Sequence, residues 1–138
     1  MIVNPRFAVG AALALLAATA QAERPKGGKP HSPKASAIPA GQGWSCAYQI
    51  GGPTDTSFCK RTAAGCEAFR VYLKDKLGET FSDCAPRPVA ACFTSRDRLS
   101  EAYDVFCASD FTSCEYERQG ILKRPLDNDD VSDCGRVK

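Results

Sequence analysis

Apolar and polar residues change period several times along this chain, and each change marks an element. Trp44, Cys46 and Tyr48 alternate with Ser45, Ala47 and Gln49, the period-2 pattern of a half-buried strand. Gly51-Gly52-Pro53 then breaks the chain, because this pairing favours a turn over continued extension. Residues 57–61 read as a second strand returning from it. The period then becomes helical, with Cys66, Phe69, Leu73 and Leu77 on one stripe. The predicted helix covers residues 63–77. Thr62 can cap it, since a hydroxyl accepts from the free N–H groups of the first turn. Gly78 stands where a left-handed C-terminal residue belongs.

The same order then returns. Ala91, Cys92, Phe93 and Thr94 open a strand, residues 95–104 form a longer charged connection, and residues 103–107 form a second strand. Asp110 takes the place of Thr62, and the predicted helix covers residues 111–123. Gly120 lies inside it at a cost of about 1 kcal/mol relative to alanine, and Pro125 stops it. Phe58-Cys59, six residues, Cys66-Glu67 is thus echoed by Phe106-Cys107, six residues, Cys114-Glu115. The cysteine steps are 59−46=13, 66−59=7 and 84−66=18, then 107−92=15, 114−107=7 and 134−114=20. Ser-Asp precedes both Cys84 and Cys134. These matches predict an internal duplication: a small disulfide-rich α+β domain of two tandem strand-strand-helix units, residues 44–88 and 89–138, joined near Pro86 and Pro88.

Ahead of the domain, residues 1–22 have the parts of a secretory signal peptide: Arg6, an apolar run from Phe7 to Ala18, and Ala20-Gln21-Ala22 as an A-x-A site. The run falls short of the ~20 residues that span a bilayer, so cleavage leaves no transmembrane segment. The expected mature chain begins at Glu23 and has 138−22=116 residues. Residues 23–43 carry Pro25, Pro30, Pro33 and Pro39 and a net charge of 4−1=+3. With so little apolar content they are expected to form a disordered Pro/Lys/Gly-rich tether. Export also sets the redox context, because disulfides persist outside the cytosol, in the periplasm or the medium. The even count of eight cysteines fits four bridges. Of the ~105 possible pairings, three keep the bridges within matched copies. Among these we favour Cys46–Cys66 with Cys59–Cys84, and Cys92–Cys114 with Cys107–Cys134, which tie strand one to the helix start and strand two to the segment after the helix.

Charge and residue type then narrow the chemistry. The whole chain carries +2, but residues 44–138 carry 13−15=−2, unlike the basic surface of a nucleic-acid binder. The single histidine, His31, lies in the tether, so the domain can form no Ser-His or Cys-His dyad. The cysteine steps lack the C-x-x-C knuckles of a zinc site, and no cofactor is implied. Asp127, Asp129, Asp130 and Asp133 form an acidic loop. It lacks the glycine and distal glutamate of an EF-hand and reads as a solvated loop. The longer second connection, with Arg96, Asp97, Arg98, Glu101 and Tyr103, is the candidate binding loop, since loops on a rigid scaffold carry recognition.

The Phe-Cys-x6-Cys-Glu copies resemble a loose class of small Cys-rich bacterial exported proteins. The likeness spans residues 46–134 and brings no activity or site residues with it. The leading expectation is a secreted or periplasmic, non-enzymatic binding module whose partner is a protein or a cell-surface ligand. The alternatives are a secreted inhibitor or antagonistic effector displaying the 95–104 loop, and a small hydrolase using a carboxylate pair that no spacing identifies.

Overall fold

A computed structural model describes residues 29–52 and 56–138. The segment expected to be a signal peptide, residues 1–22, and residues 23–28 of the expected tether lie outside the described residues. The rest is a small α+β fold with two helices, antiparallel sheets and four disulfides. Its first half contains β1 (Trp44–Tyr48), β2 (Ser57–Lys60), α1 (Ala63–Leu77) and β3 (Ala85–Arg87). Its second half contains β4 (Ala90–Asp97), β5 (Tyr103–Ala108), α2 (Phe111–Leu122), β6 (Asn128–Asp129) and β7 (Gly135–Val137).

Local chemistry sets the helix ends. The Thr62 side chain accepts from the Gly65 N–H, and the Asp110 carboxylate accepts from the Ser113 N–H. Gly78 turns left-handed at φ 70° and its N–H closes α1 on the Leu73 and Lys74 carbonyls. A side chain there would be strained, hence glycine.

Each half also gains a closing strand that the hydrophobic pattern does not predict. Immediately after Cys84, β3 pairs antiparallel with β1; immediately after Cys134, β7 pairs antiparallel with β4. Pro86, expected as part of a join, lies within β3. It is tolerated because β3 is an edge strand, where a missing N–H leaves no central ladder bond unmade.

The preferred cysteine pairing is corrected: the bridges are Cys46–Cys59, Cys66–Cys84, Cys92–Cys107 and Cys114–Cys134. All four remain within one half. Cys46 stands directly opposite Cys59 in the β1–β2 register, and Cys92 opposite Cys107 in β4–β5, each with Cα atoms 4.1 Å apart. Strand alternation turns these cysteines away from the helices, whereas Cys66 packs with Ala47 and Phe58 on the helix side. The sheet therefore separates Cys46 from Cys66. The remaining bridges, with Cα atoms 6.2 Å apart in both halves, tie each helix start to the segment entering the closing strand.

The Ser-Asp-Cys segments dock alike. Ser82 Oγ accepts from the Tyr48 N–H at 3.1 Å and the Ser82 N–H donates to the Tyr48 carbonyl at 2.7 Å. Ser132 makes the corresponding pair with Thr94 at 2.9 and 2.8 Å.

Three apolar clusters hold the fold. One lies between α1 and its sheet (Ala47, Phe58, Cys66, Leu73, Phe81) and one between α2 and its sheet (Ala91, Phe93, Ala108, Cys114). The third joins the halves through Trp44, Cys46, Cys59, Ala90, Cys92 and Cys107. Polar bonds add to this junction, since the Trp44 indole donates to the Val137 carbonyl and the Ser109 N–H donates to Ser57 Oγ, both at 3.0 Å.

The described part of the tether departs from the disordered segment expected. Ile38 packs on the cluster that joins the halves. Residues 35–37 form a 3-10 turn, and the Lys34 N–H donates to Thr94 Oγ1 at 3.0 Å. Arg61 lies over the Trp44 ring and donates to the Pro39 and Gly43 carbonyls. One apolar residue and several backbone bonds thus anchor a segment that composition marks as soluble.

Candidate functional site

The two helices leave a groove between them of about 680 Å³, within the size range of small-ligand sites. Period-2 alternation puts Phe58 of β2 and Phe106 of β5 on the helix side, where they line the groove. Phe69, Leu73 and Leu77 line it from α1, and Tyr116, Glu117 and Gly120 from α2. Phe58 meets Phe69 and Phe81 edge to face, with ring centroids 4.9 and 5.0 Å apart, an arrangement aromatic quadrupoles favour. The Lys60 ammonium sits 4.1 Å from the Phe69 ring centroid, and burial lowers its pKa. A Cβ at Gly120 would meet nothing within 4 Å. That position is therefore open space rather than a close approach requiring glycine.

Two carboxylates reach the groove from opposite walls, Glu79 after the end of α1 and Glu117 on α2. Burial raises the Glu117 pKa, the nearby Glu79 charge raises it further, and Arg124 pulls it back in part. Neither carboxylate has a hydrogen bond or an ion pair within the described residues.

The candidate binding loop lies elsewhere, on the β4–β5 hairpin. The Arg96 guanidinium donates to both Asp129 carboxylate oxygens at 2.8 and 3.0 Å. Asp129 is held below the usual carboxylate range, chiefly by that pairing. Arg98 stands 3.8 Å from Asp129. Asp97 accepts from the Leu99 and Ser100 N–H groups and the Ser100 hydroxyl, which lower its pKa with the Ser100 backbone bond foremost. The Tyr103 hydroxyl donates to Asp130, and the Lys34 ammonium lies 3.9 Å from the Tyr103 ring centroid. Glu101 takes a positive φ of 57°, and Leu99 projects from the tip, 96% exposed. Most of the loop's charge thus braces the hairpin against the rest of the domain.

The acidic loop is likewise engaged with its own chain. Asp129 pairs with Arg96, Asp130 lies 3.1 Å from His31 Nε2, and Asp133 accepts from Arg118 at 3.0 Å. Among the described residues no cluster of histidine, cysteine or acidic side chains has the makings of a metal site.

The groove escaped sequence reasoning because its residues are shared between the halves. Leu77, which the sequence places on the apolar stripe of α1, is 61% exposed and lines the groove, so the stripe continues past the core it covers. No protein-family model matches the chain, and neither a curated protein nor a solved structure matches it.

Proposed function

We propose that the protein is an exported, non-enzymatic binding module built by internal duplication of a strand-strand-helix unit, and that the groove between α1 and α2 is its ligand site. The observation that carries this reading is the groove itself, an open aromatic surface of about 680 Å³ on a scaffold stapled by four disulfides. Small-ligand sites are concave and apolar at their base, and this one has a floor of phenylalanine and leucine ringed by polar side chains. The bridges take up all eight cysteines, which supports an oxidising compartment. Within the described residues no helix is long and apolar enough to cross a membrane. Duplication is supported by the matched cross-strand and helix-to-strand bridges and by the twin docking of Ser82 and Ser132.

The test is titration of the oxidised protein with the neutral fluorophore N-phenyl-1-naphthylamine. Saturable binding is expected, and Gly120→Trp, which adds a ring where the groove is open, should abolish it while leaving the circular dichroism spectrum unchanged. Absence of binding, or binding that survives the plug, would overturn the reading.

A second reading has one observation in its favour. The braced hairpin displays Leu99 at its tip, as an inhibitory loop would. Resistance of the 95–104 segment to proteases that cleave after leucine, with inhibition of one of them, would support it.

A further inference from the structure

Glu117 and Glu79 present an unmet electrostatic demand. Removing a carboxylate from water is costly unless a cation or donors replace the lost hydration. Glu117 lies partly buried on the α2 wall beside Tyr116, Gln119, Gly120 and Lys123, above a phenylalanine floor, with Glu79 close enough to oppose its ionisation. The nearby cations are Lys123, which also lines the groove, and Arg124, which offsets the strain only in part. Other partly buried acids are treated differently: Glu115, Asp129 and Asp133 each have an arginine within 3.0 Å, and Asp97 accepts from Leu99 and Ser100. The Glu79 and Glu117 carboxylates have no such contact among the described residues. The aromatic lining has a preference of the same sign, because ring faces attract cations; the Lys60 ammonium meets it at Phe69 alone among the groove's rings.

We propose that the groove binds a small amphiphilic amine, with its apolar body on Phe58, Phe69, Phe81 and Phe106 and its ammonium group between Glu79 and Glu117. This inference rests on the groove being the ligand site. A catalytic role for the pair is the weaker use of the same atoms. Cleaving a sugar chain requires polar groups that grip its hydroxyls, and the neutral polar side chains on the lining, Gln49, Thr56, Ser57, Tyr116 and Gln119, surround a floor of phenylalanine and leucine. That floor suits a hydrocarbon or aromatic body.

The experiment is displacement of N-phenyl-1-naphthylamine from the oxidised protein by dodecylamine, below its micelle-forming concentration, and by dodecanol, below its solubility limit. The two share a chain length and differ in charge. Dodecylamine is expected to displace the fluorophore at about tenfold lower concentration, the effect of one charge-assisted contact. Glu117→Gln should remove most of that advantage and leave dodecanol unchanged. Glu79→Gln should remove part of it. Both variants should melt no lower than the parent, since each deletes an unpaired charge.

If the fluorophore binds but the two competitors are equal, the amine inference fails and the groove reading stands. If a Glu79→Gln/Glu117→Gln double variant keeps the preference for dodecylamine, the acids are not its source and the inference fails. If the fluorophore does not bind at all, the groove reading fails and takes the inference with it.

Discussion

The two halves use the same parts with different tightness. In both, a glutamate follows the helix cysteine and an arginine three residues later reaches back to it: Arg70 to Glu67 at 2.6 and 2.9 Å, Arg118 to Glu115 at 2.9 Å. In both, that arginine also faces the aspartate before the last cysteine. Arg70 stands 3.9 Å from a fully exposed Asp83. Arg118 is 3.0 Å from Asp133, is only 17% exposed, and donates to the Ser132 carbonyl at 2.6 Å. The first half relies instead on aromatic packing, with Phe58, Phe69 and Phe81 in contact. The second half has one looser pair, Phe93 and Phe106, at 5.8 Å. One scaffold thus closes its helix by ring packing in one half and by a charge-assisted clamp in the other.

Three perturbations break or sharpen this comparison. The largest is loss of a helix-to-strand bridge. The enclosed loops are nearly equal, with separations of 18 and 20 residues, so their closure entropies are nearly equal too. Cys66→Ala/Cys84→Ala and Cys114→Ala/Cys134→Ala should each cost about 3 kcal/mol in denaturant unfolding. A cost confined to one half would show that the other does not depend on its bridge.

Next, Arg118→Ala should cost about 1–2 kcal/mol, because it leaves the Ser132 carbonyl without its charged donor. Arg70→Ala should have a smaller effect, since exposed ion pairs contribute little. Equal losses would remove the distinction between clamp and ring packing.

The smallest effect concerns the caps. Burial works against ionisation of Asp110, but bonds from the Ser113 and Thr112 backbone and from the Ser109 and Ser113 hydroxyls outweigh it and lower its pKa. Its stabilisation is therefore present above the unfolded-state aspartate pKa of about 3.9 and is lost as pH falls through the lower folded value. Thr62 has no such dependence. Acidification should fray α2 before α1, readable by amide exchange, and Asp110→Thr should remove the difference while keeping a cap. Asp110→Ala should cost about 1 kcal/mol at neutral pH. Simultaneous fraying of both helices would sink the cap account.

The sequence alone determined the two helices with their caps and the β1–β2 and β4–β5 hairpins, although residues 95–97, expected in the charged connection, extend β4. Helix α1 was legible to the residue because its stripe, its threonine cap and its glycine stop are local signals, each satisfied within a few residues of chain. The recurring pattern was equally legible, since the twin cysteine spacing is a property of the linear chain. Confinement of the bridges to one half was legible, but the pairing favoured from the sequence is not the one formed, although Cys46 and Cys59 lie equidistant from the Gly52-Pro53 bond and Cys92 and Cys107 from the Leu99-Ser100 bond, as facing positions in a hairpin must. Only the tertiary structure decided the rest: which sheet face each cysteine occupies, the short closing strands β3 and β7, the docking of residues 31–43, and the groove with Glu79 and Glu117. The physical reason is separation along the chain. Strands of three residues carry too little pattern to read, and a surface built from both halves exists only once through-space packing has chosen how they meet.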